Sequence, residues 1–366
     1  MEKKQVHILY TVLDWGLGHA TRSIPIIEYL LESGVKISIA GEGDSLFLLK
    51  NNFPQINFYQ VHGIRVKYTS SGSMVLKMAL SVPKNLKAIY DEHQQIKKLI
   101  NKIKPDAVIS DNRFGAWSKI IPSLFITHQI NIVAPKNLRW LEPILFRINK
   151  YFLKKYTKVW IPDFADEINL TGKLSHNPKS LLEINHEFIG PISRLTSCKN
   201  IKSNESYELL IILSGPEPQR SIFEKKCTEQ SFASNLKTLL VRGKPQEDIN
   251  YSQNNLKVVS SINSDELKSV ITNTKYIVCR SGYSTIMDLS CTRKSALCIA
   301  TPGQTEQEYL AEYLVEGGFL VSQKQSSFNL KLGLEKLSEC IQMPNTNHSI
   351  MKKEVDRFLD DLKNYK

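Results

Sequence analysis

The chain has 366 residues, 42% hydrophobic and 23% charged, which is a globular composition long enough for two domains with full cores. Its formal net charge of +12 implies an anionic partner without choosing among nucleic acid, nucleotide phosphates and acidic lipid headgroups. No apolar run approaches the roughly 18 residues of a membrane span, and the six cysteines form no CxxC pair or metal-like grouping with histidine.

Those cysteines are expected to be buried free thiols in a reducing compartment. The first residues could imitate a short signal peptide, but Asp14 interrupts the apolar stretch and no small-residue cleavage site follows. A first buried strand and a cytoplasmic protein are expected instead.

Short apolar runs alternate with helical patterns, which favours α/β layering. VHILYTV (6–12) reads as a strand, followed by a glycine loop and a helix from about Ala20 to Glu32. KISIA (36–40) and NFYQV (57–61) are further strands, and a long helix runs over about 83–102. AVIS (107–110) ends at Asp111, and LFIT (124–127) ends at His128.

The pattern then restarts. LLIIL (209–213) leads into Ser214-Gly215-Pro216-Glu217-Pro218, and strands follow at 238–241, 257–259, 276–279 and 296–300. Helices are expected near 264–272, 284–291 and 306–316. Two doubly wound halves follow from this order, jointed near Phe188-Ile189-Gly190-Pro191. The expected domains are 1–188 and 189–348, with 349–366 an amphipathic helix packing back toward the first.

The richest stretch is 276–290. Tyr276-Ile277-Val278 is a short strand, Cys279-Arg280-Ser281-Gly282 a turn, and Tyr283-Ser284-Thr285 the start of a helix carrying Asp288. A strand running through a glycine-containing turn into a helix start presents N–H groups and the positive dipole end to an anion. An acid just inside suits a ribose hydroxyl, so the stretch is expected to hold a nucleoside diphosphate.

The first glycine loop, Asp14-Trp15-Gly16-Leu17-Gly18-His19, lacks the third glycine of a dinucleotide fingerprint and is not a GxxxxGK[ST] loop. His19 falls at the C-terminal edge of the sheet, where open α/β sheets bind ligands. It can act as a general base, steer a phosphate, or cap a helix with no chemistry.

Four segments together resemble glycosyltransferases of the GT-B fold, in particular family 28, which includes the lipid-linked N-acetylglucosaminyltransferase of peptidoglycan synthesis. They are Gly16-x-Gly18-His19, Thr127-His128-Gln129-Ile130-Asn131, Val278-Cys279-Arg280-Ser281-Gly282-x-x-Thr285, and Pro302-Gly303-Gln304-x-x-Gln307-Glu308-Tyr309. The resemblance implies two Rossmann-like domains facing across a cleft that closes to exclude water.

It places Gly16, Gly18, His128, Gln129 and Asn131 on the acceptor side. Donor contacts fall on Arg194, Gly215, Ile262, Arg280, Ser281, Gly282, Thr285, Asp288, Gln307 and Glu308. Asp288 stands where the family has a longer Glu for the ribose, and Glu308 where it has a second sugar-binding Gln. The family's glycine-rich loop is here Ser214–Arg220, where two prolines remove N–H donors. Arg220 is expected to share the phosphate role, unless the loop is a simple connection.

The implied chemistry is inverting transfer from a UDP-sugar as co-substrate, with no other cofactor and no bound metal; no Asp-x-Asp is present. His19 is the candidate base and Asp111 the second. Competing readings are a nucleotide-sugar hydrolase, a 2-epimerase of the same fold, and a non-catalytic sugar-nucleotide-binding subunit.

Between Lys136 and Lys158 seven basic residues are opposed only by Glu142 and interleaved with Trp140, Ile144, Phe146, Ile148 and Tyr151. The stretch reads either as a helix on an anionic membrane surface, peripheral to its inner face, or as a core-facing helix with a solvated basic face. Val75, Leu76, Met78, Ala79 and Leu80 form a possible second apolar contact. Nucleic acid is not expected as a partner, since no groove-reading module or RNA motif is visible.

Overall fold

A computed structural model describes residues 5–64, 74–199 and 205–364, with the side chains of 74–82 outside that description. Contacts divide the chain into two compact units. One is 1–192 together with 347–366; the other is 193–346.

The first unit opens with β1 (His7–Val12), α1 (Gly18–Glu32), β2 (Lys36–Gly41), α2 (Gly43–Asn52), β3 (Asn57–Gln60), α3 (Met74–Ile103), β4 (Ala107–Asp111) and β5 (Ser123–Ile126). It continues with a 3-10 turn at Lys136–Leu141, α4 (Glu142–Leu153), β6 (Lys158–Ile161), a single turn α5 (Pro178–Leu181) and β7 (His186–Phe188). The sheet order is β3-β2-β1-β4-β5-β6-β7, parallel throughout. All six residues of β1 are buried, as expected of a parallel strand covered by helices on both faces.

The second unit contains β8 (Leu209–Ile212), α6 (Gln219–Ser234), β9 (Thr238–Val241), β10 (Asn250–Gln253), β11 (Leu256–Val259), α7 (Ser264–Asn273), β12 (Tyr276–Cys279) and α8 (Tyr283–Thr292). It ends with β13 (Leu297–Cys298), α9 (Thr305–Glu316), β14 (Val321–Ser322) and α10 (Leu330–Lys336). Its order is β10-β11-β9-β8-β12-β13-β14, parallel except for the β10–β11 hairpin at one edge.

In both sheets the chain starts in the middle, runs to one edge, then returns and continues to the other. The order therefore reverses once in each sheet, between β1 and β4 and between β8 and β12. Such a switch point opens a crevice at the C-terminal ends of the strands, where doubly wound sheets bind ligands.

The final helix, α11 (Ser349–Asn364), belongs to the first unit. Met351, Val355, Phe358 and Leu359 bury one stripe in the cluster that also holds Ile8, Tyr10, Ile26 and Trp160. Phe358 meets the Trp160 ring edge-on at 5.7 Å, and Tyr29 Oη donates to Asp356 at 2.9 Å. The spacing of these apolar residues at three and four is that of an amphipathic helix.

Two local devices shape the first crevice. Gly43 opens α2 at φ 62°, where a Cβ would lie 1.8 Å from Asp14 Oδ2. That closeness lets Asp14 Oδ1 accept from Ser45 N at 3.0 Å, so Asp14 caps α2 from the glycine loop. Next to β4, buried Arg113 pairs with buried Glu92 of α3 and donates to the carbonyls of Val12 (3.1 Å) and Val61 (2.9 Å). One guanidinium thus joins α3 to the ends of β1 and β3.

Candidate active site

At the first switch point the glycine loop delivers His19 into the opening turn of α1, and Arg22 follows one turn later on the same face. Asp111 is the last residue of β4, level with Val12 of β1. His19 Nδ1 lies 2.7 Å from Asp111 Oδ1. Arg22 grips Asp111 through both oxygens: Nε donates to Oδ2 at 2.7 Å and Nη2 to Oδ1. Ser23 Oγ donates to Oδ2 at 3.2 Å. Arg22 also lies 3.0 Å from His19 Nδ1 through Nη2, and 3.3 Å from His128 Nδ1 through Nη1.

Asp111 has 0% exposed side chain and Arg22 only 3%. Burial would raise the Asp111 carboxyl, but the charges of Arg22 and His19 and their hydrogen bonds outweigh it and hold it at about 2. Burial, reinforced by the Arg22 charge, pulls the His19 imidazole below its ordinary range against the pull of Asp111. The site therefore offers a neutral imidazole beside a permanent carboxylate, the requirement for a general base.

Sequence reasoning singled out His19, Asp111 and His128 but missed Arg22, which brings them together. The only signal was a basic residue three positions after the histidine, on the same helix face.

The other residues expected on the acceptor side line the adjoining loops. Gly16 has φ 91° and open space around it. Gln129 is fixed by its backbone, its N–H donating to Thr127 Oγ1 and its carbonyl accepting from Asn149. Asn131 accepts from Ser180 Oγ and donates to the Lys173 carbonyl, 2.7 and 3.0 Å away, which ties it to α5 and the turn before it.

The second switch point has a different chemistry. β12 passes through Arg280 and Ser281 to Gly282, which precedes α8 and offers no capping side chain. The N–H groups of that helix start have no side-chain acceptor at the cap position. Ser281 Oγ donates to the Gln307 carbonyl at 2.8 Å, and Gln307 Oε1 accepts from Thr301 N at 2.9 Å. The turn and the start of α9 are thus braced against each other. Gly303 N donates to exposed Glu308 at 3.2 Å.

Gly215, at φ 97°, faces Thr301: a Cβ there would sit 3.1 Å from Thr301 Oγ1, which is buried and has no hydrogen-bond partner. Thr301 was not singled out from sequence, because nothing around it marks a hydroxyl aimed at a loop 86 residues earlier. Ile262, half-buried, follows β11 just before α7.

Two arginines expected at the donor, Arg280 in its binding turn and Arg220 at its phosphates, are committed within the fold. Arg280 is buried, its guanidinium 4.4 Å from the Phe223 ring centroid. It donates to the carbonyls of Ile299 (3.1 Å), Ala300 (3.3 Å) and Gln219 (3.0 Å). Arg220 is also buried, paired with Glu217 at 2.6 Å and Glu224 at 3.0 Å. Both tie the crevice walls together. Arg194 and Arg280 each keep a buried Nε that makes no hydrogen bond, while all three nitrogens of Arg220 are bonded.

Asp288, in the second turn of α8, accepts from Ser193 Oγ at 2.6 Å. Burial pushes its carboxyl up, against the Arg194 charge and the Ser193 bond. Thr285 lies half-buried one turn before it.

The basic stretch is not one helix. A 3-10 turn and α4 are followed by β6. Asn149, Phe152 and Leu153 face inward, while Trp140 (69%), Ile144, Ile148 and Tyr151 (62%) are exposed. Lys155 lies over both Trp117 and Tyr151, 4.8 and 4.3 Å from their ring centroids. The side chains of Val75, Leu76, Met78, Ala79 and Leu80 lie outside the described residues. Among the described residues no helix is long and apolar enough to cross a membrane, and no group of three His, Cys, Asp or Glu side chains could hold a metal ion.

Comparison with known proteins converges on sugar transfer. Residues 6–219 match the profile of Glycosyl transferase family 1, and 220–364 that of the Glycosyltransferase family 28 C-terminal domain. A UDP-N-acetylglucosamine--N-acetylmuramyl-(pentapeptide) pyrophosphoryl-undecaprenol N-acetylglucosamine transferase of Buchnera aphidicola is 24% identical over 340 residues, 88% of this chain and 86% of the relative. An uncharacterized glycosyltransferase of Methanosarcina mazei is 22% identical over 329 residues, 85% of this chain and 84% of the relative.

Among solved structures, the calicheamicin glycosyltransferase CalG4 superposes with a TM-score of 0.63 at 14% identity, over 99% of this chain and 95% of the other. MurG of Acinetobacter baumannii gives 0.57 at 13% identity, over 97% and 99%. The shared fold is GT-B, with two parallel-sheet α/β domains.

The Asp111 pairing has a measurable consequence. Its carboxyl sits below the unfolded value of 3.8, so the stability it contributes is present above that pH and is lost as pH falls toward 2. The gap in unfolding free energy between wild type and Asp111→Asn should narrow by on the order of 2 kcal/mol between about pH 5 and about pH 2 in urea titrations. A gap independent of pH would contradict the pairing.

Proposed function

The chain belongs to glycosyl transferase family 1 and carries a family 28 C-terminal domain, and from that premise we propose that it moves a hexose-type sugar from a UDP-sugar to an acceptor hydroxyl, inverting the anomeric centre. The observation that carries this reading is the His19–Asp111 pair at the first switch point.

In the proposed reaction the acceptor hydroxyl gives its proton to His19 Nε2 while its oxygen attacks the anomeric carbon. The bond from that carbon to the UDP oxygen breaks, and the electron pair leaves with the diphosphate. Asp111 holds the imidazole through Nδ1 and stabilises the imidazolium that forms.

The leaving diphosphate is assigned to the backbone N–H groups at Ser281, Gly282 and the start of α8, where the helix dipole favours negative charge. Arg194, with its unpaired Nε, is assigned beside them. Asp288 is assigned to the ribose, Ile262 to the base edge through its backbone, and Gln307 with Glu308 to the sugar. Arg220 and Arg280 are assigned to holding the crevice walls, since Arg220 is paired with Glu217 and Glu224 and both terminal nitrogens of Arg280 bond main-chain carbonyls. On this reading no metal-assisted step is needed, because those N–H groups and the helix dipole are assigned to the departing charge.

Support for a UDP donor and a lipid-linked acceptor comes from the names of the relatives, which include UDP-N-acetylglucosamine and pyrophosphoryl-undecaprenol. It also comes from the exposed Trp140, Ile144, Ile148 and Tyr151, which repeat at helical spacing among basic residues. This surface suits an anionic membrane, peripheral attachment to the inner face and a glycan acceptor of the cell envelope.

His19→Ala should lower kcat at least about a hundredfold and leave UDP affinity within a few-fold; a fully active variant removes His19 as the base. Asp288→Ala should weaken UDP binding measured by calorimetry, and unchanged affinity would remove its ribose role. Turnover should persist in excess chelator, whereas a loss restored by added magnesium or manganese would show a metal-assisted step. A Trp140→Glu/Ile144→Glu double variant should lose co-sedimentation with vesicles of anionic phospholipid yet keep its fold; equal sedimentation would detach the surface from this role.

A further inference from the structure

We propose that Arg22 is a positioning residue for the base: its guanidinium locks Asp111 from both oxygens and sets a fixed positive charge beside His19, so that the imidazole rests neutral with Nδ1–H on Asp111 and its lone pair on Nε2.

The geometry allows two arrangements of the ring. His19 Nδ1 is within reach of Asp111 Oδ1 at 2.7 Å and of Arg22 Nη2 at 3.0 Å, but one ring nitrogen serves only one of them. If Nδ1 accepts from Arg22, the proton sits on Nε2 and the ring cannot take one from an acceptor. If Nδ1 donates to Asp111, Nε2 is the base. Arg22 Nη2 carries two hydrogens and keeps Asp111 Oδ1 in either arrangement, but an Nδ1 without its proton would set a lone pair against that charged oxygen at 2.7 Å. The second arrangement keeps both charge-assisted bonds, so it prevails.

The charge count sets the protonation state. The charged and titratable groups recorded around His19 are Arg22 from its own helix, Asp111 from β4 and His128 after β5, with Ser23 and Tyr10 of β1 meeting Asp111. Tyr10 is held protonated by burial and the Asp111 charge, so it is neutral. Asp111 with Arg22 sums to zero while His19 is neutral, whereas protonating His19 leaves one uncompensated charge in a buried site. Asp111 alone would favour the imidazolium and fill the base before the acceptor arrives. Burial, then Arg22, oppose that, and His128 adds in the same direction.

The catalytic meaning of this device rests on the proposed transfer reaction, but its effect on the imidazole does not. The test is therefore a pH titration of the His19 ring nitrogens by NMR in wild type, Arg22→Gln and Arg22→Lys, with the signal assigned by its loss in His19→Gln. Arg22→Gln should move the midpoint upward by more than about half a unit. Arg22→Lys should return it near the wild-type value, because the charge is kept, while kcat stays reduced, because an ammonium cannot reproduce the two-oxygen grip.

A midpoint unchanged in folded Arg22→Gln, or Arg22→Lys shifting as far as Arg22→Gln, overturns the proposal. If Arg22→Gln does not fold, Arg22→Lys decides alone: a wild-type midpoint with at least about tenfold lower kcat supports it, and wild-type kcat overturns it. A wild type that transfers no sugar defeats the reaction assigned above and leaves the NMR comparison to be judged by itself.

Discussion

A carboxylate without exposed surface cannot stand alone in a protein, and Asp111 shows how the first unit is organised around that constraint. Its two oxygens accept from His19, Arg22 and Ser23, all on α1. Through Arg22 the same group reaches His128 beyond β5. The end of a strand, the first turns of a helix and the end of the next strand are therefore fixed by one charge. Two residues further on, Arg113 adds a second buried pair with Glu92 and secures the neighbouring strand ends. In the proposed reaction, a base held this way needs little rearrangement.

The second unit repeats the topology and changes the chemistry. Its switch point is bordered by a turn whose donors are backbone N–H groups and by hydroxyls of Ser281 and Thr301. Pro216 and Pro218 withhold two donors from the loop after β8. Arg220 and Arg280 do not compensate, because they bind Glu217, Glu224 and main-chain carbonyls instead. In the proposed reaction, anion binding therefore falls chiefly to the helix start. A neutral cradle of fixed dipoles suits a group that must leave after the reaction.

Much of this was legible in the sequence. The central strands are short apolar runs bounded by turn residues, and α11 spans the 349–364 stretch that the apolar spacing marks. Other elements were harder. α2 begins with Gly43 and takes its cap from Asp14, so no local signal announces it. β10 is exposed at all four positions, and β14 has only two residues, so neither shows alternation. β6 was hidden inside the basic stretch, where its Lys158 continues the run of charge. Arg22 stayed invisible for a different reason: its partners Asp111 and His128 are 89 and 106 residues away, and only the fold brings them together.

The central claim is a direct displacement driven by a neutral base. Its most immediate test is the configuration of the product, read from the anomeric proton coupling of the new glycoside formed from a UDP-α-hexose. The account predicts that the first product is the β-anomer. A product that keeps the α configuration, or release of free sugar and UDP with no glycoside formed, would contradict it.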